Sequence, residues 1–266
     1  MVTWTDADEA RHAAAVAALN EGRVLDALTS AEDGPAEVQA LLASGWQAMA
    51  DTIASVVGSG ALTLPEALHE VLINSLELQP DAESALALSY RTGLAKKRLH
   101  PELLAALWIG LARRGGFRAM GLGVPSGTCV LIDDAAYDPV GGGEVVLDPK
   151  LAAIVPMLSS SSESFAMLQG FSDRALYAGV LRRRALFASE AGAHALAYQM
   201  QRLAVSVIEH GAWPYFEVGE SAVAAGDLDE GVAWFERARA AASEDERNEL
   251  EARIVLALSS DGGLEA

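Results

Sequence analysis

Apolar residues recur at helical spacing along most of the chain. They give way to short runs bounded by glycine, proline and aspartate in one place, between about 117 and 147. Recurrence at three- and four-residue steps places apolar side chains on one helical face, which is the primary sign of an amphipathic helix. A first helix is expected to open at Thr5 or Asp6, carry Ala13, Val16, Ala17 and Leu19 inward, and stop at Asn20-Glu21-Gly22. Arg23 to Ala31 reads as a second, broken by Asp33-Gly34-Pro35. Residues 36 to 57 carry Val38, Leu41, Leu42, Trp46, Met49 and Ile53 on one side, and helices from Pro65 to Leu78 and from Asp81 to Ala95 follow the Gly58-Ser59-Gly60 loop. The pattern predicts that the first hundred residues are all helical.

The stretch Lys96–Phe117 organises the rest. Pro101 suits a first helical position, where its missing N–H would have had no partner. Leu103, Leu104, Leu107, Trp108 and Leu111 then form a wide apolar face. Arg113 and Arg114 oppose the negative end of the helix dipole, and Gly115-Gly116 lets the chain turn away.

After this helix the period changes. Phe117–Val124 and Thr128–Ile132 read as strands, Tyr137–Gly143 as a turn, and Glu144–Leu147 as a third strand, giving a small antiparallel sheet. Leu151–Leu158 is compatible with a helix, and Ser159–Ser162 with a surface loop. From Ser172 the chain is helical again, and it repeats. Gly192 and Gly226 stand 34 residues apart, as do Ala204 and Ala238, and Ala197 matches Gly231 at the same offset. That period belongs to tetratricopeptide helix hairpins, in which small residues let paired helices approach. Gly219 and Phe235 also fit, while Gly231 stands where alanine is usual and Ala222 where an aromatic is. A last helix, about Glu244 to Leu258, mixes charged and apolar residues and suits a solvating cap.

Composition narrows the function. Half the residues are apolar (51%), so a large core is expected, and alanine favours close-packed helices. The formal charge of −18 opposes a nucleic-acid surface, which is built from lysine and arginine. A single cysteine, Cys129, excludes an internal disulfide and a cysteine-rich zinc site, and the scattered histidines His12, His69, His194 and His210 give no metal-ligating spacing. No cofactor or metal is expected. No apolar run approaches a membrane span, and MVTWTDADEARH lacks the features of a signal peptide, so a cytoplasmic protein is expected. Gly121-Leu122-Gly123 and Gly141-Gly142-Gly143 lack the context of phosphate cradles and read as turns, and Asp133-Asp134 as a solvated strand end. One segment runs against the acidity: Arg91–Arg118 holds seven basic residues and one acidic, Glu102, and Arg182-Arg183-Arg184 adds a second basic spot. Such a segment serves an acidic partner, the chain's own acidic helices, or merely helix-end charge compensation.

Taken in order, Lys96-Lys97-Arg98, Leu99-His100-Pro101, Ala112-Arg113-Arg114, Gly121–Pro125 and Asp138-Pro139-Val140-Gly141-Gly142 resemble the bacterial invasion-regulator family. Its members join a degenerate transglutaminase-like domain to tetratricopeptide-like helices. The resemblance covers about residues 30 to 260. It implies an α+β, mostly α fold: a papain-like core with a small antiparallel sheet in residues 1–160, then helix hairpins in 161–266.

Transglutaminase-like catalysis needs a cysteine at the start of the organising helix, a histidine base and an orienting carboxylate. By the resemblance, Pro101 occupies the nucleophile slot, Thr128 (or Gly127) the histidine slot, and Asp138 the carboxylate slot. No intact catalytic site results, and the implied role is a non-catalytic one, binding a protein or peptide partner. Arg182 and Tyr215, on the first helix of each hairpin, are the expected contacts. The alternative is a thiol-dependent hydrolase or acyltransferase in which Cys129 and His100 form a rearranged pair. Strand alternation bears on this: if Thr128 faces the cleft, Cys129 faces the core, and if Gly127 does, Cys129 faces the cleft.

Overall fold

The computed structural model describes residues 6–32, 35–124, 127–133, 135–147, 162–208 and 211–260. Thr5, the Asp33-Gly34 break, Pro125, Ser126, Asp134, the Leu151–Leu158 segment, Ser159–Ser161 and His210 lie outside them. The described residues form a mostly helical α+β protein with eleven α-helices, a three-stranded antiparallel sheet and a two-stranded parallel one. Two compact units divide at Val180/Leu181, within one long helix, whereas the sequence places the boundary at 160/161. No helix among the described residues is long and apolar enough to cross a membrane.

The first unit contains α1 (Asp6–Asn20), α2 (Val24–Ser30), α3 (Ala36–Gly58), α4 (Leu64–His69), α5 (Tyr90–Lys96) and α6 (Pro101–Arg114). Its centre is α6. Every residue from Leu103 to Ala112 is buried, because α2, α3 and α4 cover one side and the sheet covers the other. The sequence pattern predicts one apolar face; here the helix is enclosed all round, and its alanines and Gly110 supply the remaining contacts. Gly110 sets the approach to α2, since a Cβ there would collide with the Leu25 side chain. Glu32, almost fully buried, accepts from the Ser89 hydroxyl and from the Tyr90 N–H at 3.0 Å, and so caps α5 from a distant part of the chain.

Two expectations need correction here. The first hundred residues are not all helical: β1 (Gln79–Pro80) pairs in parallel with β2 (Arg98–Leu99). A two-residue pair is too short to leave a period in the sequence. The helix boundaries also differ from those expected: α4 passes into a π-helix that ends at Ser75, and in place of one helix from Asp81 to Ala95 there is a 3-10 turn, Ala85–Leu88, and then α5.

The main sheet has the order β3 (Ala119–Val124), β4 (Gly127–Ile132), β5 (Ala135–Tyr137). The third strand therefore precedes the Tyr137–Gly143 turn, and Glu144 contributes a single bridge to Tyr137. Asp133, with φ +53, stands at the β4–β5 turn, where the sequence shows a polar strand end. Gly121 and Gly123 lie inside β3, not in a turn.

The second unit begins within α7 (Ser162–Glu190) and continues with α8 (His194–Val207), α9 (Ala212–Ala224), α10 (Leu228–Ala241) and α11 (Arg247–Ser260). Gly192 and Gly226 occupy equivalent turns, with φ +75 and +85, one after α7 and the other after α9. Both sit where a left-handed residue ends a helix, so Gly226 serves the turn and not the expected helix contact. The close approach falls instead at Gly219 and Gly231. A Cβ on Gly219 would stand 2.6 Å from the Phe235 ring, and one on Gly231 would stand 2.5 Å from Val223. Ala204 and Ala238, the other equivalent pair, are both fully buried.

Candidate functional site

The sequence points to the start of α6 and the strands beside it. His100 is the N-cap of α6, and its Nδ1 accepts the Glu102 N–H at 3.3 Å. Accepting at Nδ1 leaves the ring proton of a neutral imidazole on Nε2. The His100 N–H donates to the Ala87 carbonyl at 2.9 Å, fixing the entry of the chain. Pro101 follows at the first helical position and carries no reactive atom.

The register of the sheet decides which side chains share a face. Gly123 pairs with Thr128 and Gly121 with Val130, and a Cβ on Gly121 would stand 3.5 Å from Ile109, so this face looks toward α6. Leu122 pairs with Cys129 and Met120 with Leu131 on the opposite face, where Cys129 joins Met120, Leu131, Ala136 and Phe165. Cys129 is 5% exposed. Burial, and after it the charge of Asp138, pushes its thiol above the ordinary value, opposite to what a nucleophile requires. Thr128 is thus on the α6 side and Cys129 on the other. His100 and Cys129 are not brought together, because β-strand alternation turns the thiol away from the helix that begins at His100.

Asp138 heads the turn after β5. Its Oδ1 accepts the Val140 N–H at 2.8 Å, its own N–H donates to the Gly143 carbonyl at 2.9 Å, and the Gly142 N–H donates to its carbonyl at 2.8 Å. Gly142 has φ +70 and lies directly under the His69 ring, where a Cβ would collide. The carboxylate is therefore engaged in holding the turn.

Between α6, β3, β4 and the first half of α7 lies a cavity of about 330 Å³, contained within the first unit. Glu102 contributes from α6, Met120–Gly123 from β3, and Thr128 from β4. Leu168, Phe171, Ser172, Ala175 and Leu176 close it from α7. The glycines of β3 open the space, and Gly123 has nothing within 4 Å of where its Cβ would be. Sequence reading missed this site because Gly-Leu-Gly looks the same in a turn and in a strand that walls a cavity.

Much of the basic segment is taken up by the chain's own acids. Arg113 holds Asp173 through both guanidinium ends, at 2.7 and 2.9 Å, and also donates to the carbonyls of Ala119 and Gly22. Arg114 pairs with Asp26, Lys97 with Glu77, and Arg98 with Asp81 at 3.4 Å. Arg118 lies over the Phe165 ring, 4.2 Å from its centre. The Arg113–Asp173 pair was invisible in the sequence, since 60 residues separate its members.

In the second unit, Arg182 Nε lies 3.9 Å from Glu217 Oε2. Its Nε and Nη2 are buried without a hydrogen-bond acceptor among the described residues. Burial pushes the Glu217 carboxyl above its ordinary value; Arg182 opposes this and Glu220 reinforces it. Tyr215 is half-buried against Trp234, with ring centres 5.8 Å apart, and packs on two hydrophobic clusters of this unit, one around Phe235 and one around Tyr198. A network not anticipated from the sequence ties α8 to α10: the Tyr198 hydroxyl and Trp234 Nε1 both donate to Glu230 Oε1 at 3.0 Å.

Among the described residues no cluster of three or more histidine, cysteine or acidic side chains could hold a metal ion. No family model, curated protein or solved structure matches the chain.

Proposed function

We propose that this chain is a non-catalytic interaction protein of the cytoplasm, a degenerate transglutaminase-like body of the invasion-regulator type. In this reading its tetratricopeptide-like helix pairs bind a protein or peptide partner. The observation that carries the non-catalytic part is the separation of the site residues across the sheet. Pro101 and Thr128 lie on the α6 side, and the one thiol is buried on the other with its pKa raised. A nucleophile and base within hydrogen-bond reach are the minimum for thiol catalysis, and this arrangement lacks them. The 34-residue equivalence of Gly192 with Gly226 and of Ala204 with Ala238 supports the hairpin reading.

Arg182 supports the choice of binding surface, because its side chain stays 30% exposed and its ion pair with Glu217 is long, at 3.9 Å, so the part of the guanidinium that reaches solvent can take a partner's carboxylate. The test is selection of peptides from a random display library on the immobilised protein, with Arg182→Glu as the counter-screen. Enriched peptides are expected to carry an acidic residue and to bind Arg182→Glu at least about tenfold more weakly. Failure to enrich any sequence sensitive to Arg182→Glu refutes the surface. Thioester or amide turnover that disappears on alkylating Cys129 refutes the non-catalytic reading.

A further inference from the structure

We propose that the cavity between α6, β3, β4 and the first half of α7 is a binding site for a small uncharged amphiphile, a linear aliphatic alcohol of about eight carbons. This proposal is independent of the helix-pair surface. The space exists because β3 lacks side chains on the face that it turns toward α6 and α7. At Gly121 the gap is closed by other elements, since a Cβ there would stand 3.1 Å from Leu176 and 3.5 Å from Ile109. At Gly123 it is not closed: nothing lies within 4 Å of where a Cβ would be. Phe171 borders the same cavity yet is 63% exposed, so the apolar side of α7 stays partly unburied there. Protein interiors are close-packed, and an apolar space that side chains do not fill gains dispersion contacts when an apolar molecule enters it. At about 330 Å³ the cavity takes roughly ten water-sized groups of about 30 Å³ each, which sets the length of the ligand.

The lining sets the polarity of the ligand. Leu168, Phe171 and Leu176 from α7 and Met120 from β3 make it apolar, and it contains no lysine, arginine or histidine. Its one ionisable residue, Glu102, already interacts within the protein, with Oε2 3.9 Å from His100 Nδ1. An ammonium group would leave water for a carboxylate that is already engaged. A carboxylate would face Glu102 with no cation in the lining to balance it. Both carry the cost of burying a charge. Thr128 and Ser172 supply uncharged polarity instead. The Ser172 hydroxyl donates to the Gln169 carbonyl at 3.0 Å, which leaves its oxygen able to accept from a ligand hydroxyl. One hydroxyl on an aliphatic chain matches this inventory, and the chain supplies the affinity.

The experiment titrates the full chain with butanol, hexanol, octanol, octylamine and octanoate, followed by calorimetry and by methyl shifts in the NMR spectrum. Octanol is expected to bind saturably, and each methylene added from butanol to octanol is expected to tighten binding roughly fourfold. Octylamine and octanoate are each expected to bind at least about tenfold more weakly than octanol. The methyl shifts are expected at Met120, Leu168 and Leu176. Gly123→Phe, which sends a ring into the space from the strand, is expected to weaken octanol binding at least about tenfold. Absence of saturable octanol binding to the unaltered protein overturns the proposal. So does octylamine or octanoate binding as tightly as octanol, a lack of chain-length dependence, or saturable shifts confined to methyls away from the cavity. These outcomes are read on the unaltered protein and stand whether or not the variant folds. A folded Gly123→Phe that binds octanol as tightly as the unaltered protein overturns the proposal as well.

Discussion

Removing either member of the Arg113–Asp173 pair should be the most damaging single polar change in the first unit. Asp173 is 0% exposed at its side chain and Arg113 14%. Asp173→Ala strands a buried guanidinium that keeps only its two carbonyl contacts, at 2.8 and 2.9 Å. Breaking a buried pair from one side costs about 3–5 kcal/mol. Arg113→Ala should cost at least as much, because it also deprives the Ala119 and Gly22 carbonyls of a donor. The double alanine variant should be less damaged than the sum, with a coupling of about 0.5–3 kcal/mol.

Proton linkage adds a second signature. Burial already holds the Asp173 carboxyl above its ordinary value, with Arg113 pulling it down by less. The unfolded chain therefore loses this proton first, and ionisation of Asp173 subtracts stability as pH rises from the ordinary carboxyl range to the folded value. In Arg113→Ala the opposing pull is gone and the window widens, so the penalty should shrink as pH falls from 7.5 to 5. The assay is urea unfolding followed by pulsed hydrogen exchange on peptides covering α6 and the first half of α7, at both pH values. A cost below about 1 kcal/mol for Asp173→Ala, or additivity within about 0.5 kcal/mol, refutes the reasoning.

Three further outcomes are expected. Gly110→Ala should destabilise the first unit by about 1–3 kcal/mol despite alanine's better helix propensity, because the new methyl collides with Leu25, whose Cδ2 would be only 2.8 Å away; a rise in melting temperature would contradict the packing. Iodoacetamide should modify Cys129 in the native protein at pH 8 on the order of 100-fold more slowly than in urea. Its raised pKa means that the unfolded thiol ionises first, so stability should fall as pH rises through and beyond the ordinary thiol range. Equal labelling rates would show the thiol to be accessible. Ala238→Leu should cost about 1–3 kcal/mol, since Ala238 is fully buried in the cluster with Phe216, Phe235 and Ile254; an unchanged unfolding midpoint would place that position on the surface.

Local physics wrote most of the helices into the sequence. Pro101 at the helix start, the leucines from 103 to 111 and the Arg-Arg-Gly-Gly stop each act within one or two turns, so α6 is legible from its own residues. The same holds for the Gly192 and Gly226 turns, whose left-handed backbone selects glycine wherever the chain lies. What surrounds α6 could not be read that way. Full enclosure depends on elements from residue 24 to residue 132 converging on it, and periodicity reports one face at most. Strand alternation left two placements open for Cys129; the β3–β4 register chose one by pairing it with Leu122 on the face away from α6. The cavity and the Arg113–Asp173 pair belong wholly to tertiary structure. A glycine has no side chain with which to announce the space it leaves, and an ion pair between distant residues exists only once α6 and α7 have met.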